Sequence, residues 1–343
     1  MSIDPIAWPA RCVAPHAARL DRGPVALQAC LDRAAVDGML GLRAPVALGG
    51  RGLSGAAYAH VTVEMARASG TFAFLQVQHQ SAVGFLCGSD RPARRWIPEL
   101  ASGRVRCGIS YGWLRRPGPP SVRATEVSGG IRLQGRVPWF TGWDFYSHSV
   151  SAGRMTDGRI VLAIHPLRGA AVVEGGPMAL AAFEAAQTVA FELDCIVPEA
   201  DVLGVHPADW LERRDPARAV AQGMLILGTA RAALDQLERA VESGPSGGLA
   251  AAADRARTRL AALEARMMDG MNAAPEAALE LRAACITMAG RLAHAAMAAW
   301  SGRGASRSHA AQRVYREVLG FTVLSQTAAV RAATVERLIG TLP

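Results

Sequence analysis

The hydrophobic period changes twice along these 343 residues, and that double switch constrains the fold more than any other feature. Between about 105 and 204 the apolar residues alternate with period two, in short runs such as V-R-C-G-I-S-Y, I-R-L-Q-G-R-V and R-I-V-L-A-I-H. Turn signals separate several of them at Gly129-Gly130, Asp157-Gly158 and Gly175-Gly176, which is the pattern of short strands with one face buried. Seven such runs suit a closed or sandwiched β-domain. On both sides the period returns to that of a helix. Helices are expected at 26–40, 54–69, 71–87 and 91–102, after a loosely wrapped stretch over 1–25. Further helices are expected at 215–242, 249–270, 275–299, 309–319 and 322–339, with E-S-G-P-S-G-G as the first break. Long Ala/Leu/Arg helices joined by short loops read as a bundle. The boundaries are an N-terminal α-helical domain over 1–104, a central β-domain over 105–205 and a C-terminal helical bundle over 206–343.

Composition excludes several chemistries. Lysine and arginine together number 37, and every one of them is arginine. A lysine Schiff base and a Walker A phosphate loop are therefore impossible. The formal net charge is +8, but the arginines are dispersed among acids without interleaved aromatics. Phosphate-bearing small molecules suit them better than nucleic acid. Six scattered cysteines without a C-x-x-C imply buried free thiols in a reducing cytoplasm. The eight histidines show no H-x-x-x-H or H-x-E spacing, so no metal site is expected. No apolar run approaches a membrane span, and no signal peptide is read at the start.

One stretch points to a ligand. Ile131, Leu133 and Gly135 alternate with Arg132, Gln134 and Arg136, and Pro138 is expected to stop the ladder because it has no N–H. Trp139, Thr141 and Trp143 then crowd a turn, and Phe145–Ala152 reads as the returning strand of a hairpin. Such a turn either covers something flat or is ordinary aromatic packing.

The stretch resembles the middle β-domain of the acyl-CoA dehydrogenases, where a strand ends in G-x-x-x-W-I-T-N; the matching residues are Gly135, Trp139, Phe140, Thr141 and Gly142. Other segments carry the same resemblance. They are the G-G-x-G of 49–52, D-R-P-A-R-R-W-I-P-E-L-A-S-G, V-A-F-E-L-D-C-I-V-P-E-A-D-V-L-G, and H-A-A-Q-R-V-Y-R-E-V-L-G-F with Arg313, Arg316 and Glu317. The order of helices, strands and helices is the order of that whole fold. The resemblance implies FAD as cofactor, an acyl substrate linked to CoA or a carrier protein, and a homodimer or homotetramer packed through the bundle. It implies cofactor contacts from Tyr111, Trp113, Trp139, Thr141, Arg316 and Gln326, while Arg115 and Arg116 are candidates for phosphates.

The sequence departs from the family where the catalytic base belongs. The place of the glutamate that takes the α-proton falls at Leu324 or Ser325, and the place some members use instead falls at Arg218. The glutamine before the family's glycine loop is Ala298, and the family's R-x-x-F-G turn is replaced by V-E-S-G-P-S-G-G. Standard α,β-dehydrogenation is not expected, since a general base must reach the proton it removes. Flavin monooxygenases of this fold lack that glutamate, and His79 is the preferred candidate for catalysis, ahead of His148 and His309. Two functions stay open: a flavin-dependent oxidoreductase acting on an acyl thioester or related small molecule, and a protein of this fold that has lost redox chemistry.

Overall fold

The computed structural model describes residues 3–244 and 247–340. Six helices come first: α1 (Trp8–Cys12), α2 (Ala17–Arg22), α3 (Pro24–Val36), α4 (Gly55–Ala68), α5 (Gly70–Cys87) and α6 (Ile97–Ser102). Residues 8–22 are thus largely helical rather than loosely wrapped. Pro9 and Pro24 sit in the first turn of α1 and α3, where the missing N–H costs nothing. Trp8 and Leu20 are buried, and Trp8 Nε1 donates to Asp37 at 2.7 Å. Ser54 caps α4, accepting from Ala57 N at 3.2 Å, and Ser69 caps α5, accepting from Phe72 N at 3.3 Å. The helix expected over 91–102 is a 3₁₀ turn at Pro92–Trp96 followed by α6, because Pro98 fits only the first turn of a new segment.

Eight strands follow: β1 (Cys107–Ser110), β2 (Val122–Val127), β3 (Gly130–Thr141), β4 (His148–Arg154), β5 (Ile160–Pro166), β6 (Ala171–Glu174), β7 (Thr188–Pro198) and β8 (Val202–His206). They form one sheet in the order β6-β7-β3-β2-β4-β5-β8, with β1 paired parallel to β4. Two expectations about the Trp139 stretch need correction. Pro138 does not end β3, because the ladder with β7 shifts register between Val137 and Phe140 and this bulge absorbs the missing donor. Nor do β3 and β4 make a hairpin: β3 pairs with β2 and β7, whereas β4 pairs with β1, β2 and β5. The turn between them docks on the end of the β6–β7 connection, with Gly142 N donating to Ala186 O at 2.9 Å and Trp143 N to Gln187 O at 3.1 Å. Gly142 is required there, since φ is +96° and a Cβ would lie 2.1 Å from the Tyr146 ring.

The remaining helices are α7 (Trp210–Ala217), α8 (Ala219–Glu242), α9 (Leu249–Asp269), α10 (Pro275–Trp300), α11 (Ala310–Val323) and α12 (Ala328–Ile339). The expected helix over 215–242 is broken at Arg218, whose φ of −113° and ψ of 2° leave the helical region. Residues 245 and 246 of the expected E-S-G-P-S-G-G break lie outside the described residues. The fold is therefore an N-terminal helical part, a central sheet and C-terminal helices. Buried side chains run continuously through all three. Among the described residues, no helix is long and apolar enough to cross a membrane.

Candidate functional site

A cleft of about 990 Å³ opens where the three parts meet. One wall is the end of β3, with Trp139 and Thr141, and Thr188 of β7. The N-terminal helices supply Tyr58 and Thr62 of α4 and Phe74, Val77, Gln78 and Ser81 of α5. The third side is Gln222, Met224 and Leu225 of α8 and the α11–α12 loop with Leu324, Ser325 and Gln326.

The β3 wall is built by alternation along a bulged strand. Trp139 is 50% exposed and presents its ring to the cleft. Phe140 is buried, and Trp143 packs on Phe140 and Phe191 at centroid distances of 6.3 and 5.7 Å. Thr141 and Thr188 pair through their hydroxyls at 3.0 Å across the β3–β7 ladder. Tyr111 and Trp113 follow β1 and also line the cleft, Tyr111 standing edge-on to Phe85 at 5.3 Å. Trp113 Nε1 and Gln326 Oε1 are buried without a partner, while Gln326 Nε2 donates to Thr322 O at 2.5 Å. A buried donor and a buried acceptor, both unpaired at a cleft wall, suit a ligand with polar edges.

The structure brings Tyr111, Trp113, Trp139, Thr141 and Gln326 into one cleft. It keeps two other candidates out. His79 is buried on the opposite side of α5: Nδ1 accepts from Cys107 N at 3.2 Å, so Nε2–H donates to Leu100 O at 3.1 Å. Burial lowers its pKa to about 4. With both nitrogens tied to backbone and no place in the cleft lining, His79 braces α5 against α6 and β1. Arg316 turns away toward α2, donating to Asp21 at 3.0 Å from Nη1 and 2.5 Å from Nη2, and to Gln312 at 2.8 Å. Its neighbours in the same motif do likewise. Arg313 donates to the buried Glu317 at 2.7 Å, and Glu317 accepts from Thr71 N at the start of α5 at 3.4 Å. The motif clamps the bundle to the N-terminal helices. Both of the paired arginines line the cleft, and Arg115 is held there by Asp215 at 2.6 and 2.8 Å. His148 packs on Trp96 at 5.0 Å, and His309 caps α11.

Leu324, Ser325 and Arg218, the three places where a carboxylate base was sought, all line the cleft. Among the described lining residues there is no Asp, Glu or His. Sequence reasoning missed the arginine that fastens this loop. Arg282 of α10 is 1% exposed; it donates to Gln222 Oε1 at 2.5 Å and to the carbonyls of Leu324 at 2.7 Å and Ser325 at 3.4 Å. Burial pushes its pKa down to about 10. Its signal was a lone arginine inside the apolar run L-R-A-A-C-I-T-M-A. Arg43 and Tyr58, also in the lining, were missed as well.

Residues 7–104 match the family described as acyl-CoA dehydrogenase, N-terminal domain. Benzylmalonyl-CoA dehydrogenase from Aromatoleum aromaticum is 28% identical over 239 residues, which are 65% of this chain; the match spans 62% of that relative's length. Glutaryl-CoA dehydrogenase from Mycobacterium smegmatis shares the fold at TM-score 0.82 and 19% identity, with 99% of this chain and 93% of that one covered. Dibenzothiophene monooxygenase from a Paenibacillus species does so at TM-score 0.77 and 19% identity, with 99% and 97% covered. The matched N-terminal helices, the relative aligned over 65% of the chain and the common three-part fold point the same way and support the acyl-CoA dehydrogenase family for this chain.

Proposed function

We propose that the chain is a flavin-dependent oxidoreductase of acyl thioesters or related small molecules, and that its reaction does not start with a protein carboxylate taking an α-proton. The observation that carries this reading is a cleft walled by Trp139 and Thr141 in which, among the described residues, no lining residue is Asp, Glu or His. The residues fit FAD. Trp139 offers a flat exposed face, Trp113 Nε1 and Gln326 Oε1 offer an unpaired donor and acceptor, and Arg116 and Arg331 line the cleft and suit phosphates. FAD held there would supply two-electron redox chemistry.

The chain's own residues position and shield. Trp139 covers one side of the ligand, and the Thr141–Thr188 pair holds that wall in register. Arg282 fixes the loop that faces the substrate. Tyr58 and Tyr111 are the lining groups besides arginine that can exchange a proton, and burial raises the pKa of Tyr58, which keeps it protonated. Loss of a general base typically lowers the rate by about 10²–10⁴-fold, so α,β-dehydrogenation of a simple acyl thioester should be slow. The dibenzothiophene monooxygenase of the same fold favours oxygen-consuming chemistry as the alternative outcome. The test is to mix FAD-loaded protein with butyryl-CoA without oxygen, then admit oxygen. The reading expects little bleaching of the flavin; rapid full bleaching with formation of the enoyl thioester contradicts it.

A second reading, a protein that has lost redox chemistry, draws on Arg316, whose guanidinium is occupied by Asp21 instead of a cofactor. Protein that FAD cannot colour supports this second reading.

The chain works as a homodimer or homotetramer. Leu319, Val323, Val335 and Ile339 of α11 and α12 are exposed apolar side chains, a pattern that a second copy would cover.

A further inference from the structure

One end of the cleft concentrates positive charge. Arg43, Tyr58 and Arg218 line it, and Arg214 packs beside them, its guanidinium 4.2 Å from the Phe85 ring centre and 5.1 Å from that of Trp210. The carboxylate that faces this group is Asp215, and Arg115 takes both its oxygens, at 2.6 and 2.8 Å. Among the described residues, Arg43, Arg214 and Arg218 form no ion pair. The cluster is built rather than incidental. Arg43 lies 5.4 Å from the Tyr58 ring centre and donates to Gln80 O at 3.3 Å. Gly84, inside α5, makes room for it, since a Cβ there would fall 2.0 Å from Arg43 Nη1. The groups feel one another: burial, then the charge of Arg218, lowers the pKa of Arg214 to about 10.

Partly buried cations without counter-ions are unfavourable, and a bound anion relieves them. We propose that this end of the cleft is an anion subsite for a carboxylate on the acyl group, so that the substrate is the monothioester of a dicarboxylic acid. A planar carboxylate between two guanidinium groups and the Tyr58 hydroxyl would receive charge-assisted hydrogen bonds. The flavin-facing wall of β3 contributes none of these residues. This inference rests on the reading that the cleft holds an acyl thioester, though not on the flavin being redox-active.

The test uses pantetheine thioesters, which carry no phosphate, so the anion can come only from the acyl group. Succinyl-, glutaryl- and adipoyl-pantetheine are compared with their butyryl, valeryl and hexanoyl counterparts by calorimetry. At least one acid should bind about tenfold or more tighter than its uncharged counterpart, as a gain of one charged hydrogen bond implies. Arg43→Gln and Arg218→Gln should bring the ratio close to one without weakening the uncharged ester, and Arg218→Lys should restore part of it. Melting curves of each variant establish that it folds. The proposal falls if no acid outbinds its counterpart, if no pantetheine thioester binds, or if the preference survives in both glutamine variants. It also falls if the variants lose affinity only for CoA esters, which would assign the arginines to the carrier's phosphates. Loss of FAD content with an unchanged acid preference would assign them to the cofactor and likewise overturn it. Protein that keeps the acid preference but cannot take up FAD upholds the subsite and sinks the flavin reading, so the two failures are distinguishable.

Discussion

Trp139 and Trp143 are four residues apart and have opposite surroundings, one half exposed on the cleft, the other packed on Phe140 and Phe191. Trp139→Ala should therefore change stability by less than about 1 kcal/mol while lowering FAD affinity several-fold. Trp143→Ala should cost about 3–5 kcal/mol by leaving a cavity and should spare FAD affinity in the fraction that folds. Melting curves and flavin titration on the same samples separate the two effects. The motif around Trp139 was legible because it is local. The role of His79 was not, because both faces of α5 are buried and its hydrophobic period carries no direction. Phe74, Val77, Gln78 and Ser81 face the cleft, while Gln76, His79 and Gln80 bond to backbone of other elements. His79 and His165 are both neutral in the fold, with burial lowering each pKa to about 4 from 6.5. As pH falls from 6.5 toward 4, the unfolded chain takes up protons that the folded chain refuses, so stability should fall through that window. His79→Gln should be less stable at pH 7 and should show a shallower decline. An equal decline in variant and parent would mean that His79 does not titrate this way.

At the scale of elements, the cleft depends on two interruptions. Arg218, with φ of −113°, stands at the break between α7 and α8, and the α11–α12 loop turns at Ser325, whose φ is +51°. Arg282 holds that turn from α10. Arg282→Met should cost about 2–4 kcal/mol, since buried acceptors lose their donors. Amide exchange over 324–330 should also become faster than in the parent. Unchanged exchange there would show that the loop holds itself. The Arg316–Asp21 pair joins elements 295 residues apart in the chain, with side-chain exposures of 18% and 6%. A double-mutant cycle on it should give a coupling of about 1–3 kcal/mol. The R-x-x-R-E motif itself was readable. Its partners Asp21 and Thr71 were not, because nothing local in a helix specifies which distant helix it meets. The same limit explains the strands. The alternation that places Leu133 and Val137 inside was plain, but the neighbours of β3 are decided by long-range pairing with β2 and β7.

Over the whole molecule, the switch of period from helix to strand and back marked the three-part fold, and the cleft lies where those parts converge. Its contents were half legible. The aromatic wall could be read from one segment, whereas the arginine cluster joins Arg214 and Arg218 of one segment to the distant Arg43, which no local pattern links to them. Light scattering at micromolar concentration should give twice or four times the chain mass of 36.1 kDa. Replacing Val323 and Val335 with Asp should shift it toward the monomer, and a parent that is already monomeric would remove the proposed assembly. The central claim is that this cleft holds a flavin against Trp139, and a visible absorption spectrum tests it most directly. Protein is incubated with excess FAD, freed of unbound cofactor by gel filtration, and compared with Trp139→Ala treated the same way. The account predicts the two bands of oxidised flavin at about one FAD per chain in the parent and a several-fold weaker spectrum in the variant. A colourless parent, or a variant that retains the full spectrum of the parent, would contradict it.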